Sequence, residues 1–172
     1  MAPENESQGL KRNKINRLSD AHLILIGDIV TEWAYLETAI EVAIWTLSKV
    51  PRDDVGACIT THMSINAKIQ ALESLIREYQ RRKMYLDHCE HLLVITKDAN
   101  KNLCPKRNKL IHNFWKAEEG TNAIAANIVK ARGTLEYDKH TFDLEEMEAF
   151  RTQISNAAYH MFMTQEHFIE PL

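Results

Sequence analysis

Turn-forming residues are scarce, with 5 glycines and 4 prolines in 172 positions and aromatics at only 8%. A sandwich or barrel of many short strands needs frequent turns, so the composition argues against one and points to helices. Cysteine is also sparse. Cys58, Cys89 and Cys104 are odd in number and widely spaced, without a Cys-x-x-Cys pair, so they read as reduced thiols rather than a disulfide framework. The first twenty residues are polar, and no later run is apolar and charge-free for long enough to be a signal core or membrane span. A cytoplasmic location without a membrane partner is expected. There is no Gly-rich phosphate loop, no HExxH and no Gly-x-Ser-x-Gly, which leaves NTPase, zincin and α/β-hydrolase chemistry without support. An excess of basic charge is missing too: 21 Lys and Arg stand against 24 Asp and Glu.

What is present, 45% hydrophobic and 26% charged residues over 172 positions, suits one soluble domain with a real core. Residues 1–18 carry Lys11, Arg12, Lys14 and Arg17 without apolar periodicity and read as a flexible basic arm; residues 19–172 read as a single domain. Ser19 is placed to cap a long helix in which Leu23, Ile26, Val30, Trp33, Leu36, Ile40, Ile44 and Leu47 recur every three or four residues until Pro51. After a polar link, Ser64 opens a second helix with Ile65, Ile69, Leu72, Leu75 and Ile76 on one face, closed by the basic run Arg81, Arg82 and Lys83. A third pattern, from Leu86 through Leu92, Leu93, Ile95 and Ala99 to Leu103, meets Pro105, a kink or junction beyond which Leu110, Ile111, Phe114 and Trp115 continue the apolar set.

Residues 117–142 break the helical pattern. Gly120 and Gly133 punctuate β-compatible stretches at 124–129 and 134–137, which predicts a long loop or small β-hairpin. Asp143 with Glu146 forms the signature of a capping box, opening a last helix with Met147, Phe150, Ile154, Ala158, Met161 and Phe162 on one side. The expected fold is an all-α bundle of four to five helices with one non-helical insertion.

Chemistry concentrates at residues 106–113, KRNKLIHN, where Lys106, Arg107 and Lys109 lie close to His112. Arginine supplies a planar, permanent cation suited to phosphate, and histidine gives or takes a proton near neutrality. Together they are a minimal kit for cleaving a phosphodiester. With RNA as substrate its own 2′-hydroxyl can be the nucleophile, so neither a metal nor a protein nucleophile is required. A capping arginine and a core histidine would be the structural alternative. Five residues along a straight helix turn by about 140°, so Arg107 and His112 do not share a face unless the backbone departs from ideal geometry or a second subunit completes the site.

The string RNKLIH resembles the Arg-polar-x3-His signature of the HEPN superfamily (higher eukaryotes and prokaryotes nucleotide-binding domains), in which Asn commonly follows the Arg. The helix order over residues 19–168, with Trp33, Leu36, Glu37 and Ile40 early and Trp115 just beyond the signature, is similar as well. The resemblance implies a HEPN-like helical bundle forming a homodimer with a composite cleft, acting as a metal-independent endoribonuclease of a toxin–antitoxin or phage-defence system. Arg107 would hold the scissile phosphate, His112 would act as general base or acid, and Asn108 would orient one of them or contact the backbone. RNA is the implied substrate, no cofactor is implied, and a cognate antitoxin protein is an implied partner. A non-catalytic HEPN-like module binding nucleotide, RNA or a partner protein is the alternative reading, and a purely structural helical dimer is a third.

Lys109 and Lys116 are candidates for RNA phosphates or for solvating the surface, and Glu37 is a candidate support that would pair with Arg107 across the core, with a solvated or structural glutamate as the alternative. His88 and His91 have helical spacing but no further ligand set, so they read as exposed helical histidines and no metal site is expected. Residues 1–116 hold 17 basic against 14 acidic side chains, and residues 117–172 hold 4 against 10. The net acidity therefore belongs to the C-terminal third, and the candidate segment sits at the end of the basic part, which fits a local patch with salt-sensitive grip on RNA.

Overall fold

A computed structural model describes residues 18–51, 54–117, 123–131 and 135–169. The N-terminal arm expected over residues 1–18 lies outside these apart from Leu18, as do Gly120 and Gly133.

Helix α1 spans Asp20–Ser48 and is capped as the sequence predicts: the Ser19 side chain accepts from the His22 backbone N–H, and Lys49 ends it in the left-handed region (φ 59°) ahead of Pro51. Two further helices follow, α2 (Asp54–Thr60) and α3 (Ile65–Arg81), the latter capped by Ser64. The short α2 occupies part of the stretch expected to be a link; seven residues are too few for periodicity to show. Helix α4 (Leu86–Asp98) passes through a π-helical turn at Ala99–Leu103 into α5 (Cys104–Ile111). The last helix, α6 (Leu144–Gln165), starts at Asp143, whose carboxylate accepts from the Glu146 N–H at 2.7 Å, and leads into a single 3-10 turn at Glu166–Phe168.

Helix α1 packs along α6 and against α3, while α4 bridges α3 and α6. The core between them is aliphatic and aromatic, with Leu36, Ile40, Ile69, Leu72, Leu92, Leu103, Phe150 and Ile154 all essentially sealed from solvent. The buried stripe of α1 begins with His22, Ile29 and Trp33; Leu23 and Val30, expected inside, are 54% and 43% exposed. Apolar residues surround that half of α1, so spacing alone does not select a face, and the packing against α6 does.

The insertion is larger than a hairpin. Strands β1 (Phe114–Ala117), β2 (Ala123–Ala131) and β3 (Leu135–Asp143) form an antiparallel sheet in the order β1-β2-β3, with Lys116 opposite Ala125 and Ala123 opposite Asp143. Phe114 and Trp115 thus belong to a strand and do not extend the helix before them. Trp115 instead packs near the fully buried Phe142 of β3, ring centroids 6.1 Å apart. Pairing with residues a dozen positions downstream decides this conformation, which local periodicity cannot see.

Candidate functional site

The π turn and Pro105 set the orientation of α5. Proline has no N–H to give to the helical ladder, and the Cys104 N–H just before it reaches back five residues to the Ala99 carbonyl, so the wider turn passes the proline while the helix continues. Six residues later the helix stops. His112 still donates its N–H to Asn108 O at 3.2 Å, but its own backbone (φ −100°, ψ 7°) has left the helix, and the Asn113 side chain caps the Lys109 carbonyl at 2.7 Å. The signature RNKLIH therefore lies on the last turn of α5 and its exit into β1.

That exit solves the angular problem within one chain. Arg107 Nη1 lies 2.9 Å from His112 Nε2. A guanidinium has no acceptor, so Arg107 donates, Nε2 accepts, and in this geometry the ring proton sits on Nδ1. Arg107 Nη1 also donates to Asn108 Oδ1 at 3.1 Å, and its guanidinium carbon stands 5.4 Å from the centroid of the buried Trp33 ring on α1. Its Nε–H is buried without an acceptor among the described residues. The guanidinium thus keeps an unused donor, which an oxyanion reaches only when the side chain shifts, because this atom is sealed from solvent.

Beneath the pair, the Asn108 amide donates to Cys104 Sγ at 3.7 Å, and the thiol points at Asn66 Oδ1 of α3, 3.8 Å away. Burial pushes the Cys104 thiol up from its usual range; Arg107 and Asn108 pull it back, and Glu37 adds to the rise. A buried thiol held protonated packs and donates; it does not act as a nucleophile.

The other candidates divide. Lys106 pairs with Glu146 of α6 at 2.8 Å, near the rings of Phe150 and Phe142, and so pins α5 to α6 and β3. Lys109 and Lys116 are exposed and have no ion-pair partner among the described residues. Glu37 does not pair with Arg107. Its carboxylate takes Lys68 of α3 at 2.5 Å, and Lys68 also holds Glu41, one turn along α1, at the same distance. Lys68 is the buried member, 5% exposed. Burial lowers its pKa, but the hydrogen bonds and charges of Glu37 and Glu41 outweigh that, and the net shift is upward.

His88 stacks on His167, centroids 4.2 Å apart, and His91 shares a 2.9 Å hydrogen bond with Thr164; no three His, Cys, Asp or Glu among the described residues converge to hold a metal ion. No helix among them is long and apolar enough to cross a membrane.

Lys68, Glu41 and Asn66 were not singled out by motif, and Trp33 was marked only within the helix pattern and not as a partner of Arg107. Lys68 had a signal: it falls between Ile65 and Leu72 on the apolar face of α3, where a lysine needs a partner, and Glu37 and Glu41 are one turn apart beside the α1 stripe. Raised above the ordinary lysine value, the Lys68 pKa makes its contribution to stability fully present below that value and lost as pH climbs through the raised one. Lys68→Met should cost about 3 kcal/mol at neutral pH, the low end for a broken buried pair because both carboxylates stay partly wetted. Urea unfolding at neutral pH and at about pH 11 checks this: the gap between parent and variant narrows in alkali. No protein-family model matches the chain, and neither a curated protein nor a solved structure matches it.

Proposed function

We propose that the chain is a HEPN-like endoribonuclease that cleaves RNA through attack of the 2′-hydroxyl on the adjacent phosphorus, without a metal. The observation that carries this reading is the direct contact of Arg107 with His112 at the end of α5, together with the unpaired Nε–H of the same arginine. Entry of a phosphodiester lets its oxygens take the guanidinium, which frees His112 Nε2 to accept the 2′-hydroxyl proton as that oxygen forms its bond to phosphorus. The 5′-oxygen leaves, taking a proton from water or from the histidine, and the product carries a 2′,3′-cyclic phosphate. Arg107 stabilises the charge gathering on the phosphoryl oxygens. Asn108 steadies the arginine, and Lys109 and Lys116 supply neighbouring phosphates with cations.

The assembly proposed is a homodimer, with α1 at the contact. Leu23, Ile24, Val30 and Tyr35 stand 43% to 62% exposed on the helix that also carries Trp33 beneath Arg107. A second copy covering this face would bring two sites together. Light scattering at micromolar concentration should give twice the 19.9 kDa chain mass, and a strictly monomeric mass contradicts the composite cleft.

The reading is tested by incubating RNA and DNA of one sequence with the protein in EDTA. RNA is cut and DNA is not. Saturable RNA binding without cleavage would favour the non-catalytic binding module, and a toxin or phage-defence role with a cognate antitoxin belongs to the catalytic reading alone.

A further inference from the structure

Resting on the reading of Arg107 as the phosphate-binding group, we infer that Lys68 is a positioning residue that keeps the Arg107 guanidinium open by holding the Glu37 carboxylate away from it. Trp33 and Glu37 are four residues apart on α1, so their side chains neighbour one another at about 6 Å. Arg107 lies over Trp33, and its buried Nε–H has no acceptor among the described residues. A carboxylate one turn away is the natural occupant of such a fork, because guanidinium and carboxylate match in two parallel hydrogen bonds. Both charges reach the same thiol: Cys104 feels Arg107 and Glu37 with opposite sign. Yet Glu37 turns to α3.

Lys68 explains this. Its ammonium is 2.5 Å from one oxygen of Glu37 and 2.5 Å from one oxygen of Glu41, and its side chain is 5% exposed, so two carboxylates satisfy one buried cation. A lysine with Glu41 alone would leave Glu37 free to swing to the arginine and fill the phosphate position with the protein's own anion. The second carboxylate thus has a use beyond neutralising Lys68. The triad stores an acidic group beside an anion site without letting it block that site.

The probe is inorganic phosphate, followed through the Arg107 Nε–Hε signal by NMR in the full chain. In the parent, phosphate shifts this signal saturably. In Lys68→Met the affinity should fall by about tenfold or more, since phosphate must displace a paired carboxylate. The double variant Lys68→Met with Glu37→Gln should recover the parent affinity within about threefold even though it remains less stable than the parent, which a merely structural role for Lys68 would not produce. Glu37→Gln alone should bind phosphate as tightly as the parent, and it supplies the test if Lys68→Met does not fold. A Lys68→Met protein that binds phosphate like the parent overturns the inference. So does a double variant as weak as the single one, a large loss in Glu37→Gln, or a parent whose Arg107 signal ignores phosphate. Phosphate binding that follows the predicted order in a protein that cuts no RNA supports the role of Lys68 and refutes the ribonuclease reading alone.

Discussion

On the proposed ribonuclease reading, Arg107→Ala is expected to lower RNA cleavage by about a hundredfold or more, because removing a preorganised donor from developing charge costs about 2.7 to 4 kcal/mol of barrier. The loss falls on the chemical step. Arg107 is half-buried in the middle of α5, with its hydrogen bonds to the adjacent Asn108 and to His112, so its removal opens no core cavity. The stack on Trp33 is worth about 0.5 to 1 kcal/mol at a site of this exposure, and the far-ultraviolet circular dichroism of the variant should match the parent. Arg107→Lys tests the geometry of the cation: it keeps the charge, loses the fork and recovers only part of the rate. His112→Ala removes the proton acceptor and should cost about 10²- to 10⁴-fold. Rate constants on one oligoribonucleotide under saturating conditions decide these values, and variants that cut as fast as the parent would remove Arg107 and His112 from the mechanism.

Phe150→Ala is expected to have the largest effect on stability, about 3 to 5 kcal/mol. Phe150 is 1% exposed on α6 and fills the core where α6 meets α1, while the Lys106 ammonium stands 5.1 Å from its ring and bonds Glu146 on the same helix. The cavity left by truncation therefore lies under the anchor of α5, and the loss combines a hydrophobic transfer cost with a weaker hold on the segment bearing Arg107 and His112. For a domain of this size the melting temperature should drop on the order of 10 °C, measured by calorimetry at one protein concentration. Tyr159→Ala on the same helix, at a side chain 60% exposed, is the control and should change stability by less than about 0.5 kcal/mol.

The helices were legible wherever a cap and a period agreed. Ser19 and Pro51 delimit α1, Ser64 opens α3, and Asp143 with Glu146 opens α6, each by hydrogen bonding that involves only neighbours in sequence. Long-range packing decided the rest. Leu23, Ile24, Leu25 and Ile26 follow one another, so only the contact with α6 settles which of them turns inward, and Phe114 and Trp115 fit a helix pattern until β2 pairs with them. The site divides in the same way. Residue types and their order singled out Arg107, Asn108 and His112 as candidates, but the 2.9 Å contact between the arginine and the histidine depends on where α5 ends, and the ideal helix gave the opposite expectation. The sequence offered Arg107 as a partner for Glu37, whereas its carboxylate pairs with Lys68, which comes from a helix whose placement no local pattern encodes.

The proposed transesterification of RNA at the Arg107–His112 contact leaves its mark in the ends of the fragments. An oligoribonucleotide incubated with the protein in EDTA should yield fragments ending in 2′,3′-cyclic phosphate, identified by mass, with no such fragments from His112→Ala at equal concentration. Fragments ending in 3′-hydroxyl and 5′-phosphate, or identical cleavage by the His112→Ala variant, would contradict it.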